Sequence, residues 1–306
     1  KPLAAGLVAL ATLTLVSCSN DDPLDSASTD SQAAAQTVVI GTANFPESEI
    51  IGQIWAEALR EEGFEVKVKS GIGSREVYLS ALQDGSIAIV PEYSGNLTQF
   101  FGELPEGADE KQVRDTLASV LPADLAAGEF SPAESKDAYR VTRATADEYG
   151  LTTIGDLDKL KMITVAAPPE FAERPYGPKG LTSAYGIDAA KISVNPISDG
   201  GGPLTVQALA EGAVDAANIF TTSPAVTGKG DKPDLVILED PLHLIPPQNV
   251  VPVIRAEELP PGALDVINDV NARLTTRDLT EMNVRNVGAE RAEPATIARE
   301  WVRSTR

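Results

Sequence analysis

Two segments of the chain repeat one pattern, and this repeat constrains the fold more than any other feature. Residues 81–85 (ALQDG) and 208–212 (ALAEG) each end a predicted helix, turn on a glycine and lead into a predicted strand. A glycine-rich turn precedes each helix, at residues 71–74 and 199–202, and a polar loop follows each strand. Strands that alternate with helices in this way form parallel sheets covered by helices. The repeat therefore predicts two α/β lobes of similar build, each presenting loops at the carboxyl ends of its strands, where such sheets bind ligands.

The hydrophobic pattern places the other elements around this repeat. Strands are predicted at residues 38–42, 65–69, 87–90, 163–166, 192–197 and 214–220, and helices at 48–62, 75–84, 109–121 and 204–211. Extended segments at 139–142 and 235–239 are predicted to cross between the lobes. Beyond residue 254, helices are predicted at 260–274, 280–284 and 296–303, and we expect this tail to pack against the first lobe.

The beginning of the chain differs from the rest. An apolar run at residues 3–16 is too short to span a membrane but suits the hydrophobic region of a signal peptide. Its end, residues 15–18 (LVSC), resembles the bacterial lipobox, in which the cysteine becomes the lipidated first residue. We expect residues 1–17 to be a lipoprotein signal peptide, Cys18 to be the lipidation site and the small, polar residues 18–36 to be a flexible tether. An ordinary signal peptide with an incidental cysteine is the alternative.

Composition disfavours several classes of function. The 306 residues include one histidine, His243, and one cysteine, Cys18. A Cys/His zinc site is therefore impossible, a Ser-His-Asp triad would depend on His243, and no disulfide can form within the chain. With 45 acidic against 25 basic residues the formal charge is −20, and no basic patch favours nucleic acid. Aromatic residues make up only 5% of the chain, so a cluster of rings would mark a specialised site. We expect no cofactor and no metal.

Several segments, taken in order, resemble the binding proteins of ABC importers for quaternary amines such as glycine betaine, choline and carnitine. They are residues 41–48 (GTANFPES), 91–96 (PEYSGN), 137–139 (DAY), 169–171 (PEF) with Arg174, 220–223 (FTTS), 238–241 (LEDP) and 246–249 (PPQN). The resemblance implies an α/β, periplasmic-binding-protein-like fold of type II, with two crossing strands between lobes that are each a mostly parallel sheet flanked by helices. It implies lobe 1 at residues 37–138 and 243–306, and lobe 2 at 139–242.

The resemblance also implies a ligand site. A trimethylammonium group has no N–H to donate, so a protein holds it by shape, dispersion and the negative faces of aromatic rings, at about 0.5–2 kcal/mol per ring. The matching positions are Tyr93, Tyr139 and Phe220 as cage rings, Asp137 through its backbone carbonyl, and Asn96 and Arg174 for a ligand carboxylate. Gln248 stands where a fourth cage tyrosine is usual, and Ala43 where some members have a carboxylate-binding lysine. Further ligand-binding candidates are Asn44, Phe45, Ser48, Phe171 and Thr221. Tyr93, Tyr139, Phe220 and Arg174 also have ordinary structural interpretations, as core or hinge residues or as an ion-pair partner.

The expected function is that of an extracytoplasmic, monomeric solute-binding protein without enzymatic activity, anchored by lipid to the outer face of the cytoplasmic membrane. It would deliver an osmoprotectant such as glycine betaine or choline to an ABC permease. Because the cage has three rings and one cation fewer than usual, an uncharged or aromatic solute is an alternative ligand. An extracytoplasmic hydrolase that uses Glu47, Glu92 and Asp199 is a second alternative. A transcription-factor effector domain conflicts with the signal peptide and with the lack of a helix-turn-helix segment.

Overall fold

The computed structural model describes residues 37–306, which contain two five-stranded sheets flanked by helices. The expected signal peptide, Cys18 and the tether lie outside the described residues. The strands are β1 (Val38–Gly41), β2 (Val66–Lys69), β3 (Ile89–Tyr93), β4 (Ala126–Ala127), β5 (Tyr139–Thr142), β6 (Ile163–Ala167), β7 (Ile192–Pro196), β8 (Ala216–Asn218), β9 (Leu235–Ile237) and β10 (Val250–Ile254). The helices are α1 (Pro46–Glu61), α2 (Arg75–Gln83), α3 (Ser94–Phe101), α4 (Glu110–Val120), α5 (Arg143–Tyr149), α6 (Pro178–Tyr185), α7 (Pro203–Ala210), α8 (Ala263–Asn271), α9 (Thr276–Val287) and α10 (Pro294–Ser304).

The two sheets share one strand order, β2-β1-β3-β10-β4 in the first and β7-β6-β8-β5-β9 in the second. We call the first sheet with its helices lobe 1 and the second with its helices lobe 2. The first three strands of each order are parallel, whereas the last two pair antiparallel with their neighbours. Four strands of each sheet therefore run in one direction and a single strand, β10 or β5, runs against them, so the sheets are mixed. The chain enters β5 and β10 directly after it has crossed from the other lobe. Gly85 and Gly212 occupy matching turns of the repeat with φ values of 78° and 70°, a left-handed conformation that favours glycine.

The chain passes between the sheets twice, from β4 to β5 and from β9 to β10. The crossing segments touch each other, since Glu134 and Asn249 form an antiparallel bridge and the Ser135 amide donates to the Gln248 carbonyl at 3.1 Å. The crossing segments therefore meet at residues 134–135 and 248–249, outside the segments predicted to cross at 139–142 and 235–239. Those segments form β5 and β9, which pair with each other inside the second sheet.

Helices cover both faces of the sheet in lobe 1. One face packs against α1 and the C-terminal helices α8, α9 and α10, and the other packs against α2, α3 and α4. Neighbouring residues of β10 show the two faces, since Val250 belongs to the first cluster and Val251 to the second. The C-terminal tail thus packs against the sheet of lobe 1.

The polar loop expected at residues 91–96 is instead the end of β3 and the first turn of α3. Asn96 consequently sits on a helix that starts directly at the carboxyl end of a strand. Among residues 37–306, no helix is both long enough and apolar enough to cross a bilayer.

Candidate functional site

A cavity of about 150 Å³ lies between the lobes, and we call it the inter-lobe cavity. Its lining comes from the ends of β1, β2 and β3 in lobe 1 and of β6, β7 and β8 in lobe 2, together with the segments that follow them. These are carboxyl ends of parallel strands, the edge at which open α/β sheets bind ligands. An engineered cavity of about this volume binds benzene, so the space suits a small organic solute.

Aromatic rings form much of the cavity wall. They are Phe45, Tyr78 and Tyr93 from lobe 1, and Phe171, Tyr176 and Phe220 from lobe 2. The cavity thus takes up three of the 6 tyrosines and three of the 7 phenylalanines in a chain that is poor in aromatic residues. The rings of Phe45 and Phe220 meet across the cleft with centroids 5.3 Å apart. A ligand in the cavity would therefore touch rings of both lobes.

Hydroxyl groups of the wall tyrosines are bound to other protein groups. Tyr93 donates to the Glu47 carboxylate at 2.6 Å, and the Tyr176 oxygen accepts from the side-chain amide of Asn96 at 3.1 Å. Burial raises the pKa of both tyrosines above the usual range, so they stay neutral. These residues therefore offer a ligand mainly their rings, whose faces attract organic cations.

Arg75, which lines the cavity, belongs to a buried ion pair of lobe 1. The Arg75 guanidinium, in the first turn of α2, donates to both carboxylate oxygens of Glu92 at 2.7 and 2.9 Å. The Tyr78 hydroxyl donates to the same carboxylate at 2.6 Å. Burial alone would lower the pKa of Arg75, but the Glu92 carboxylate raises it well above its ordinary value. Arg75 lines the cavity with its charge already neutralised by a protein partner.

Asp137 is a buried carboxylate that lines the cavity. Its Oδ2 accepts a hydrogen bond from the Asn96 amide at 2.7 Å, a neutral partner. Burial raises the pKa of this carboxyl, whereas the Asn96 and Asn218 amides, the Arg75 charge and the Tyr176 hydroxyl act in the opposite direction. An ionised carboxylate held by neutral donors in a partly desolvated site attracts a cationic ligand.

Gln248 orients Asn96 from behind the cavity wall. Its Oε1 accepts from the Asn96 backbone amide at 3.0 Å, and its Nε2 donates to the Asn96 side-chain oxygen at 2.5 Å. Both polar atoms of this fully buried side chain are therefore used inside the protein. Replacement of Gln248 by tyrosine would remove both of these hydrogen bonds to Asn96.

Arg174 reaches from lobe 2 to lobe 1. It follows a short 3₁₀ helix at Pro169–Glu173, and its Nη1 lies 2.9 Å from Oε1 of Glu76 in α2. Its guanidinium carbon is 5.9 Å from the centroid of the Phe100 ring. The arginine expected to bind a ligand carboxylate is thus paired with a carboxylate of the protein itself.

Asn218 brings a side-chain amide to the cavity beside Asp137. It ends β8, is 2% exposed and lines the wall, and its amide lies close enough to the Asp137 carboxyl to lower the pKa of that group. Asn96 and Asn218 are thus two neutral amides that favour the ionised form of Asp137.

The structure brings most of the predicted ligand-binding residues to one place. Those that line the cavity are Asn44, Phe45, Tyr93, Asn96, Asp137, Phe171, Arg174 and Phe220. Those that do not line it are Ser48, Tyr139, Thr221 and Gln248.

Each of the residues outside the wall has a structural role in the part of the chain described. Tyr139 is fully buried behind Phe171, with ring centroids 5.9 Å apart, and its hydroxyl donates to the Tyr176 carbonyl at 2.7 Å. The Ser48 hydroxyl accepts from the Ala43 amide at 3.0 Å. The Thr221 hydroxyl likewise accepts from the backbone amide of residue 136 at 3.0 Å. These side chains support the wall instead of forming it.

Sequence reasoning missed Arg75, Tyr78, Tyr176 and Asn218 among the lining residues. Tyr176 had a usable signal, since it follows Arg174 by two positions in a loop rich in proline and glycine after a predicted strand. The sequence predicts an apolar strand at 214–220 with Asn218 in its interior, whereas the strand in the structure ends at Asn218. Among residues 37–306, no group of His, Cys, Asp and Glu side chains is arranged to hold a metal ion.

Comparison with known proteins shows the family of this chain. The family described as the substrate binding domain of ABC-type glycine betaine transport systems matches residues 36–304. The glycine betaine-binding protein YehZ of Escherichia coli (strain K12) is 25% identical over 283 residues, which cover 88% of this chain and 91% of that protein. A glycine-betaine-binding protein of Pseudomonas aeruginosa is 25% identical over 287 residues, covering 89% of this chain and 88% of that protein.

A solved structure supports the fold. The crystal structure described as a glycine betaine/carnitine/choline ABC transporter superposes with a TM-score of 0.65 at 24% identity, covering 87% of this chain and 98% of that one. The two mixed-sheet lobes match the type II periplasmic-binding-protein fold. The chain therefore belongs to the family of substrate binding domains of ABC-type glycine betaine transport systems.

Proposed function

We propose that this chain binds a small quaternary ammonium solute, such as choline or glycine betaine, between its lobes and delivers it to an ABC permease. The observation that carries the proposal is the inter-lobe cavity, where rings from both lobes surround a space that Asp137 also lines. Ring faces and a carboxylate attract a trimethylammonium group, which a hydrogen-bonding site cannot recognise. Family membership supports the same role.

Phe45, Tyr93, Tyr176 and Phe220 are the rings that we assign to the cation. Phe45 stands between Tyr93 and Phe220, with centroid distances of 6.1 and 5.3 Å, so these rings form one continuous surface across the cleft. Tyr176 belongs to a second group, 6.0 Å from Phe171. A ligand that touches both groups favours the closed arrangement of the lobes, because only that arrangement offers all the contacts together.

The proposal places the protein outside the cytoplasmic membrane as a monomer, anchored by lipid on Cys18. Its support is the LVSC sequence at residues 15–18 and the polar segment that follows. We expect Cys18→Ala to release the protein from the membrane fraction while leaving ligand binding unchanged. A Cys18→Ala protein that still sediments with membranes in detergent-free buffer would contradict the anchor.

The carboxylates of the hydrolase alternative, Glu47, Glu92 and Asp199, are not among the described residues that line the inter-lobe cavity. Each is bound to protein groups: Glu47 accepts from Tyr93, Glu92 pairs with Arg75, and Asp199 accepts from backbone amides in the first turn of α7. A solute-binding role is therefore the function that the geometry supports best.

Titration calorimetry and thermal unfolding of the full chain test the proposal. The ligands are choline, glycine betaine and carnitine, with proline, ectoine and an uncharged aromatic solute for comparison. We expect a quaternary amine to bind with one-to-one stoichiometry and to raise Tm with concentration, because it binds only the folded state. Failure of every quaternary amine, with stabilisation by proline or the aromatic solute, would favour the alternative ligand class.

A further inference from the structure

Charges around the inter-lobe cavity are unevenly paired. The arginines in its wall are Arg75 and Arg174, and each faces a carboxylate of the protein, at 2.7 Å for Glu92 and 2.9 Å for Glu76. Asp137, by contrast, is held by neutral groups, which are the amides of Asn96 and Asn218 and the hydroxyl of Tyr176. The cavity therefore presents an available negative charge, while both of its positive charges are taken.

The two arginine pairs differ in how firmly they are held. The Arg75 pair is buried, with Glu92 fully inaccessible, so a ligand cannot displace its carboxylate without leaving a buried charge unpaired. The Arg174 pair bridges the lobes near solvent, with 13% of the Arg174 side chain and 49% of the Glu76 side chain exposed. Only Arg174 can exchange its partner readily.

Glu76 is ionised and held in place for this contact. The Ser74 hydroxyl donates to its Oε2 at 2.7 Å, while Oε1 faces Arg174. Partial burial works against ionisation, but the Ser74 bond and the Arg174 guanidinium lower the pKa of the Glu76 carboxyl. A ligand carboxylate that approaches Arg174 must therefore compete with a carboxylate already positioned there.

We propose that Glu76 is a specificity-determining residue, which occupies Arg174 and so makes the cavity prefer a quaternary ammonium solute with an uncharged end over a zwitterion. The inference rests on the proposed function. A choline-like ligand presents its cation to the rings and Asp137 and needs nothing from Arg174. A betaine-like ligand must either displace Glu76 or leave its own carboxylate without the arginine, in a wall that also contains Asp137 and Glu170.

Calorimetric titration of the full chain with choline and glycine betaine tests this inference through Glu76→Gln. The amide keeps the size of the side chain and frees the Arg174 charge. We expect the affinity for glycine betaine relative to choline to rise about two- to fivefold, the range for a partly exposed ion pair. Glu173→Gln is the matched control, because it removes an exposed carboxylate next to Arg174 in sequence, and it should shift the ratio less.

An Arg174→Met background separates ion-pair competition from a general effect of charge. There Glu76→Gln should no longer change the ratio of the two affinities. The same shift of the affinity ratio in both backgrounds would overturn the inference. Equal weakening of both ligands by Glu76→Gln would overturn it too, because the Glu76–Arg174 pair would then only stabilise the contact between the lobes. A wild-type protein that binds neither ligand would overturn the proposed function itself, whereas a binding-competent wild type with an unchanged ratio would overturn the role of Glu76 alone.

Discussion

Tyr176 is the wall ring whose removal should be most informative at the scale of single residues. It packs near Phe171, and its hydroxyl is engaged by Asn96, so its ring is fixed before a ligand arrives. We expect Tyr176→Ala to weaken choline binding about 5- to 30-fold, which corresponds to about 1–2 kcal/mol for a desolvated cation–π contact. Calorimetry measures the change. Tyr149→Ala is the control, since this tyrosine is 43% exposed on α5, and similar affinities for the two variants would contradict the assignment.

Asp137 should make cation binding depend on pH. Because burial raises the pKa of its carboxyl, Asp137 takes up a proton at a higher pH than an exposed aspartate does. A bound cation favours the ionised form, so choline affinity should be constant above this raised pKa and fall as the pH drops through it. The free energy of unfolding of the ligand-free protein should instead rise as the pH drops through this pKa, because the penalty of burying the charged form disappears on protonation.

Titrating choline at a series of pH values, in the wild type and in Asp137→Asn, measures this dependence. The variant should bind choline more weakly at neutral pH and with a flat profile. A flat wild-type profile would contradict the role of Asp137, as would an unchanged pH dependence in the variant.

The limits of sequence reasoning are clearest in Tyr139 and Tyr176. Both lie near predicted strands, and the family resemblance favoured Tyr139. Which tyrosine reaches the cavity depends on packing between distant segments: Tyr139 lies in β5 beneath Phe171 and hydrogen-bonds to the backbone of Tyr176. The bonds between Gln248 and Asn96 likewise join positions 152 apart in sequence. No local pattern encodes such contacts.

One buried carboxylate, Glu47, joins the cavity ring Tyr93 to the contacts between the lobes. Glu47, in the first turn of α1, accepts from Tyr93 at the end of β3 and from Asn283 in α9, both at 2.6 Å. It also accepts from the hydroxyl of Thr222, in the segment after β8 of lobe 2. We infer that this carboxylate positions Tyr93 and holds lobe 2 against lobe 1.

Glu47→Gln should therefore reduce both stability and ligand affinity. The glutamine amide has one acceptor oxygen, and its N–H groups face groups that donate to Glu47 in the wild type. At least one of the hydrogen bonds to residue 47 is therefore lost. We expect the free energy of unfolding to fall by about 1.5–3 kcal/mol, as for a buried hydrogen bond to a charged group, and choline binding to weaken with it. Urea unfolding and calorimetry measure the two effects.

Asp156→Asn provides the matched control for Glu47→Gln. Asp156 also accepts several bonds, from Thr152 and Thr153, but all within lobe 2. Its replacement should lower stability and leave choline affinity unchanged. If Glu47→Gln behaved the same way, the carboxylate would be only structural.

The elements that were predictable from sequence are those with local signals. The ALQDG and ALAEG segments gave matching helix ends because glycine at positions 85 and 212 adopts positive φ. The antiparallel pairings of each sheet were not predictable, since all the strands of lobe 2 lie between β3 and its partner β10 in sequence. For the same reason β5 and β9 could be recognised as extended but not as partners.

The arrangement of the two lobes predicts that they close around the ligand. Adjacent crossing segments join the lobes, and the cavity lies between them. Phe45–Phe220 and Glu76–Arg174 contacts span the cleft and would separate on opening. We expect the radius of gyration from small-angle scattering to decrease when saturating choline is added. An unchanged value in a sample that calorimetry shows to be saturated would contradict hinge closure.

Recognition of positive charge is tested most directly by comparing choline with its uncharged carbon isostere, in which a carbon atom replaces the ammonium nitrogen. The two molecules match in shape, so a difference in affinity reports attraction of the cation to the rings and to Asp137. We predict that calorimetry of the full chain will show choline binding at least about tenfold more tightly, or about 1.4 kcal/mol. Equal affinities would contradict a cation site and show that the cavity selects its ligand by shape alone.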